Sequence, residues 1–344
     1  MSRFFDNHHA YYPAHYQLIS LMDLLDGQGV HHHQYLKGTG LFYDDMISGE
    51  KVLTAAQYVK LIENAQKLGD KTLAFRWGHA MWPGHYDVFS QLLNSTNNLR
   101  DLLDVIRNYS QVFCPLLKPY VETAEEHTFI YWQDEMGVSK VLDFLVASYS
   151  TAMSSICHWY QGEKLLWRIC FSCPQPKLIE EYQVNLGGKV QFDMGVNVMA
   201  IANVHLNEQW GNKRNSDVIY AILERQANNL YSVCLPGFIG AVGQWCQKNI
   251  DHHVSLNQAA VAFEMSSATF KRKLKQHFTS FQKIQDQARL HTCLYLQYEK
   301  QWNNQQVADY LKFSDANNFR KAFKRWCGNT PSVMKQKLTD IISI

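Results

Sequence analysis

The feature that most constrains this chain is a pattern that occurs twice. Residues 315–331, DANNFRKAFKRWCGNTP, place Phe319, Ala322, Phe323 and Trp326 at i, i+3, i+4 and i+7, the spacing of one buried helical stripe. Arg320, Lys321, Lys324 and Arg325 fill the positions between, so a helix here is anchored by one face and offers cations on the other. Asp315 is placed to cap its first turn, and Gly328 followed by Pro331 to close it. Upstream, residues 266–278, SSATFKRKLKQHF, align so that Phe270, Lys271, Arg272, Leu274 and Lys275 lie over Phe319, Arg320, Lys321, Phe323 and Lys324, with Ser266 in the capping place. A short apolar-periodic segment precedes each: Leu256, Ala259, Ala260 and Phe263 in one, Val307, Ala308 and Leu311 in the other. Each unit reads helix, tight turn, helix, over about 255–278 and 303–328. Between them Phe281, Ile284, Ala288, Leu290 and Leu294 recur over a length that suits one long helix. The basic second helix of such a unit fits the DNA major groove, and a rigid connecting helix would set the two about one helical turn, roughly 34 Å, apart.

Charge supports the same reading. The net charge of +2 hides fifteen Lys/Arg against seven Asp/Glu from residue 241 onward, a balance of +8, while the first 240 residues carry −6. A basic region on an otherwise acidic chain points to nucleic acid or an anionic membrane. The apolar stripe is needed for a core, which disfavours the membrane, and no membrane partner is expected. No run of about 18 apolar residues appears, and MSRFFDNHHAYYP lacks the order of a signal peptide, so a cytoplasmic protein is expected. Eight scattered cysteines do not form a disulfide framework.

The stretch from Ser255 to about Lys337 resembles the DNA-binding domain of AraC/XylS-type bacterial transcription regulators. The pattern F.RAFKRW.G..P appears here as Phe319, Arg320, Lys321, Ala322, Phe323, Lys324, Arg325, Trp326, Gly328 and Pro331. The resemblance implies base readers at Ala268, Lys271 and Arg272 in the first helix and at Asn317, Arg320 and Lys321 in the second, with Lys275, Lys324 and Arg325 as neighbouring DNA contacts. Arg or Lys can donate to guanine O6/N7, Asn can pair with adenine, and Ala268 could touch only a thymine methyl. The chain departs from the family where many members carry glycine in each turn: Glu264 and Lys312 stand there. If those positions need φ > 0, a non-glycine costs about 1 kcal/mol.

Residues 1–230 read as mixed α/β, followed by a linker at 231–240 and an all-α DNA-binding domain at 241–344 whose two helix-turn-helix units are joined by a long helix. Helices are expected around Leu18–Leu25 with a Gly27 stop, from a Thr54 cap to Gly69, over TNNLRDLLDVIRNYSQVF, from Val138 to Tyr160, and over SDVIYAILERQANNL. Strands are expected at HTFIYWQD and LLWRICFSC, and Pro236 suits the first turn of a new helix. The order of elements over residues 14–225 is similar to the sensor domain of the ornithine-utilisation-regulator branch of that family, often labelled arabinose-binding. The amphipathic helices and aromatic-rich strands fit an apolar effector pocket.

Other chemistry is sparse in this half. HHH at residues 31–33 is expected to lie on a loop with its rings pointing apart, so no metal site is expected. Cys170 and Cys173 form a single C-x-x-C without two further ligands. Trp82, Trp132, Trp159 and Trp167 read as core. No P-loop, G-x-S-x-G, H-E-x-x-H or dinucleotide fingerprint appears, and no cofactor or enzymatic activity is expected. The expected partners are double-stranded DNA and a small-molecule effector, with RNA polymerase and a second copy of the chain as further candidates. Two rival readings remain. One is a DNA-modifying or repair enzyme with Cys114 or Cys170 as nucleophile, which would need an activating neighbour that the sequence does not show. The other is a constitutive dimeric DNA-binding protein without effector.

Overall fold

The computed structural model describes residues 4–187, 189–211, 216–230, 235–298 and 300–342. The order is β1 (Ala10–Pro13), α1 (Gln17–Asp26), α2 (His32–Tyr35), α3 (Tyr43–Ile47), β2 (Val52–Thr54), α4 (Ala55–Leu68), α5 (Leu73–Met81), α6 (Val88–Asn94), α7 (Leu99–Asn108), α8 (Ser110–Phe113), β3 (Leu117–Thr123), β4 (His127–Asp134), α9 (Leu142–Gln161), β5 (Arg168–Cys170), α10 (Ile179–Leu186), β6 (Lys189–Gln191), β7 (Val198–Ala202) and α11 (Asp217–Leu230). Seven helices follow: α12 (Phe238–Lys248), α13 (Leu256–Ala262), α14 (Ser267–Gln276), α15 (Phe281–Tyr298), α16 (Asn304–Tyr310), α17 (Ala316–Cys327) and α18 (Pro331–Ile342). The mixed α/β first part and helical second part are as expected.

A five-stranded sheet, in the order β3-β4-β7-β5-β6, divides the molecule. It is antiparallel except for the parallel pair β5 and β6. Because successive strand residues point to opposite faces, β4 and β7 serve two cores at once. Ile130, Trp132, Met199 and Ile201 join the core of the first half, and Phe129, Val198 and Ala200 join that of the second. Both faces are covered, which explains why the middle of HTFIYWQD, from Phe129 to Trp132, is an unbroken apolar and aromatic run rather than an alternating one. On the first face lies α9, whose buried Ser148 and Thr151 hydroxyls donate to the carbonyls of Phe144 and Ala147 and so leave no unpaired donor. The start of α1 is fixed by Gln17, fully enclosed, which donates to the Phe113 carbonyl (2.6 Å) and accepts from Tyr58 and Tyr149.

The second half wraps one core around α15, an 18-residue helix about 27 Å long. Phe270, Leu274, Phe319 and Phe323 point into it, with Phe281, Ile284, Leu290 and Leu294 of α15 between. Its own face toward the sheet carries His291, which meets Gln133 (3.2 Å) and the Tyr131 ring. Burial pushes that imidazole down to about 4, so it is neutral.

Several expectations are corrected. The run TNNLRDLLDVIRNYSQVF is two helices, broken at Tyr109, whose hydroxyl donates to Asn228 (2.9 Å) on α11. In LLWRICFSC only Arg168–Cys170 pair as a strand, and α9 starts at Leu142 rather than Val138. Pro236 lies outside α12, where Gly237 is the N-cap, and its carbonyl accepts from the Phe5 N–H. Residues 231–234 of the expected linker lie outside the described residues. Trp159 is nearly half exposed, stacked on Tyr160, while Trp82, Trp132 and Trp167 are core. The histidines 31–33 do not diverge: His31 caps α2 and the three ring centroids lie 4.2–4.7 Å apart.

Candidate nucleic-acid interface

The two units are built alike down to single hydrogen bonds. Ser255 and Asn303 open α13 and α16 with capping boxes completed by Gln258 and Gln306. Each helix then ends in the same turn. The N–H groups of Glu264 and Met265 donate to the carbonyls of Val261 and Ala260, and those of Lys312 and Phe313 to Asp309 and Ala308. This is the Schellman arrangement, which needs a left-handed residue just past the cap. Glu264 (φ 57°) and Lys312 (φ 61°) supply it without being glycine, at about 1 kcal/mol of backbone strain each. The second turn then holds one extra residue, Ser314. Its hydroxyl accepts from Asn318 (2.7 Å), and the repeat spacing grows from 48 residues at the first caps to 49 at Phe270 and Phe319.

Ser266 and Asp315 cap the two second helices by accepting from the N–H groups of Thr269 (3.1 Å) and Asn318 (2.8 Å). On α14 the outer stripe Ala268, Lys271, Arg272, Lys275 repeats at i, i+3, i+4, i+7, and on α17 Asn317, Arg320, Lys321, Lys324 do the same; all eight are exposed. Arg325 stands beside this stripe, also exposed, but is shared with Asp286 of α15 (3.4 Å). Among the described residues no ion pair within 4 Å engages Lys271, Arg272, Lys321 or Lys324. The structure thus brings eight of the nine sequence-derived candidates onto two exposed stripes, with Arg325 beside the second.

Sequence reasoning missed what holds these helices from behind. At the C-terminal end of α14, His277 is buried, with Nδ1 2.6 Å from the Met136 carbonyl and Nε2 3.2 Å from Asp6. Lys273 pairs with the same carboxylate. Burial alone would raise the Asp6 carboxyl, but Lys273 and His277 outweigh it and hold it below the usual range. Gly137 lies so close that a side chain there would meet the His277 backbone. At the C-terminal end of α17, Cys327 rests against Gly195 in the same way, and Asn329 donates to the Asp193 carbonyl (3.0 Å). Both helices are therefore docked on the first half by their C-terminal ends and present the other end outward. These contacts join residues more than a hundred positions apart and leave no local signal.

Neither cysteine weighed as a nucleophile is activated. Cys114 and Cys170 are buried, and burial pushes the first thiol far up and the second up to about 12, so neither is a thiolate near neutrality. No helix among the described residues is long and apolar enough to cross a membrane.

Two helix-turn-helix units on one connecting helix, backed by a mixed α/β region, define a two-headed DNA-binding transcription regulator. The chain belongs to the family described as "Arabinose-binding domain of AraC transcription regulator, N-term", whose profile matches residues 29–209, and a helix-turn-helix domain profile matches residues 259–337. It is similar to the ornithine utilization regulator of Pseudomonas aeruginosa strain PAO1, 21% identical over 317 residues that cover 91% of this chain and 93% of that protein. Among solved structures, the transcriptional regulator CdpR of Pseudomonas aeruginosa aligns over 95% of this chain and 99% of its own, at 15% identity and a TM-score of 0.42. A DNA-binding transcriptional dual regulator from Escherichia coli K-12 aligns over 28% of this chain and 86% of its own, at 24% identity and a TM-score of 0.27. The protein is an AraC-type transcription regulator with a ligand-binding domain ahead of its helix-turn-helix region.

Proposed function

We propose that α14 and α17 enter successive major grooves on one face of the DNA, with Ala268, Lys271, Arg272, Asn317, Arg320 and Lys321 toward base edges and Lys275, Lys324 and Arg325 on phosphates. The observation that carries this reading is the pair of matching outer stripes, at the same helical spacing and exposed on both helices. Residues near the start of a recognition helix reach base edges while neighbouring cations hold the backbone. The length of α15, about 27 Å, suits a separation of about one helical turn, roughly 34 Å. Arg325 needs to leave Asp286 to reach a phosphate, so it contributes less than Lys324.

In this reading residues 1–230 sense a small molecule, 231–240 link, and 241–344 read DNA in the cytoplasm. The docking of both helix ends on the first half gives the sensor a lever: a ligand that favours one arrangement of the sheet shifts the spacing and angle of the two helices, and only that differential affinity can change DNA binding. A second copy of the chain is supported by Val218, Ile219, Ile222 and Leu230, exposed along α11. RNA polymerase is the further partner of a regulator bound beside a promoter. The test is a titration of the full chain on a selected DNA site against salt. Affinity should fall with a log–log slope of about −0.9 for each phosphate contact, and binding that ignores salt would remove the cationic stripes from the account.

A further inference from the structure

We propose that His31, His32 and His33 form a surface site for one borderline divalent transition-metal ion, such as Zn2+ or Ni2+. The three residues open α2, and their ligating nitrogens all lie within 4.8 Å of one another. Three imidazoles around a metal at about 2.0–2.1 Å stand roughly 3–3.4 Å apart, so closure needs ring rotations and small shifts rather than a refolded backbone.

The backbone makes the convergence possible. His31 is extended (φ −72°, ψ 143°) and folds its ring back over the helix it caps, while His32 and His33 follow in the first helical turn. Gln34 accepts from the His31 N–H (3.1 Å) within the turn, and Asn64 of α4 donates to the carbonyls of Tyr35 (2.9 Å) and Lys37 (2.8 Å), so the segment is pinned to α4 just after the rings. His32 also rests on the Tyr43 ring (4.9 Å).

Asp26 and Asp44 add negative charge around the site. An imidazole-only set of three leaves positions open to water and selects among ions by the order that favours copper, nickel and zinc over manganese and iron. One contact opposes binding: the His31 Nδ1 accepts from the His33 N–H at 3.4 Å, the long end of the range. The other histidine pairs, His8 with His9 and His252 with His253, offer two adjacent imidazoles each and should bind more weakly.

The full chain, stripped with chelator, is titrated with Zn2+ by calorimetry beside the triple variant H31N/H32N/H33N and a free peptide of residues 27–38. One equivalent should be lost in the variant and should bind the peptide at least tenfold more weakly than the chain. A variant that keeps every equivalent, or a peptide that binds as tightly as the folded chain, overturns the site. Co2+ on the unmutated chain gives an independent reading: paramagnetic shifts confined to residues around 31–43 support the proposal, and shifts centred on other histidines overturn it.

Discussion

Glu135 follows β4 directly and sits against the start of α12, and replacing it with glutamine should remove a pH dependence from folding. The carboxyl is 8% exposed and accepts from the Gly237 N–H at 2.8 Å, at the start of α12. Burial is the main cause that raises it from 4.5 to about 7, against Lys118 and the Gly237 hydrogen bond, with Asp134 adding to the rise. Because the folded value lies above the unfolded one, the stability that protonation gives is complete below about 4.5 and is lost as pH rises through about 7. At about 1.4 kcal/mol per pH unit, the wild-type chain should lose roughly 2–3 kcal/mol between pH 5 and pH 8 from this group alone. Glutamine keeps the shape and the acceptor but cannot ionise. Urea unfolding of both proteins, followed by tryptophan fluorescence at pH 5, 6, 7 and 8, isolates the effect, since Asp134 and the histidines are common to both. Glu135→Gln should match wild type at pH 5 and exceed it by roughly 2 kcal/mol at pH 8. A difference that stays flat over that range would mean that water reaches the carboxyl and that α12 does not pack on the end of β4 as described.

Three further changes address the DNA-binding helices. Lys321→Ala should cost about 1–3 kcal/mol on the selected site and relax its sequence preference, whereas Lys324→Ala should weaken specific and random DNA alike; equal losses in both variants on both DNAs would reverse that division of labour. Gly195→Ala forces a methyl into Cys327, where the ideal position is 2.3 Å from the cysteine Cβ, so α17 must shift. Circular dichroism should show a folded chain with weaker site-specific binding, and unchanged binding would show that the docking of α17 does not set its position on DNA.

The second half was legible because its signals are local. Caps, apolar stripe and basic stripe all fall within a dozen residues, and the repeat confirms each against the other. Even the non-glycine turns at Glu264 and Lys312 could be located, though only coordinates show that both adopt φ > 0. The first half yielded its long helices and the strand at 127–134 but not its sheet. Strands of three residues such as Val52–Thr54 and Lys189–Gln191 carry too little alternation to read. Pro119 argues against a strand at 117–123, and is tolerated because β3 lies at the edge of the sheet. Gly78 likewise obscures α5, yet it lies in the buried face of that helix against Ser148 and Thr151 of α9. The links between the halves, Asp6 with Lys273 and Asn329 with Asp193, depend on the tertiary fold alone, so the site's outer face could be read from sequence while its support could not.

The claim that two fixed helices read one face of DNA is tested most directly by a hydroxyl-radical footprint of the full chain on its selected site. Two protected patches should appear on the same face, their centres about one helical turn, roughly 10 base pairs, apart. A single patch, or two patches offset by half a turn, would contradict it.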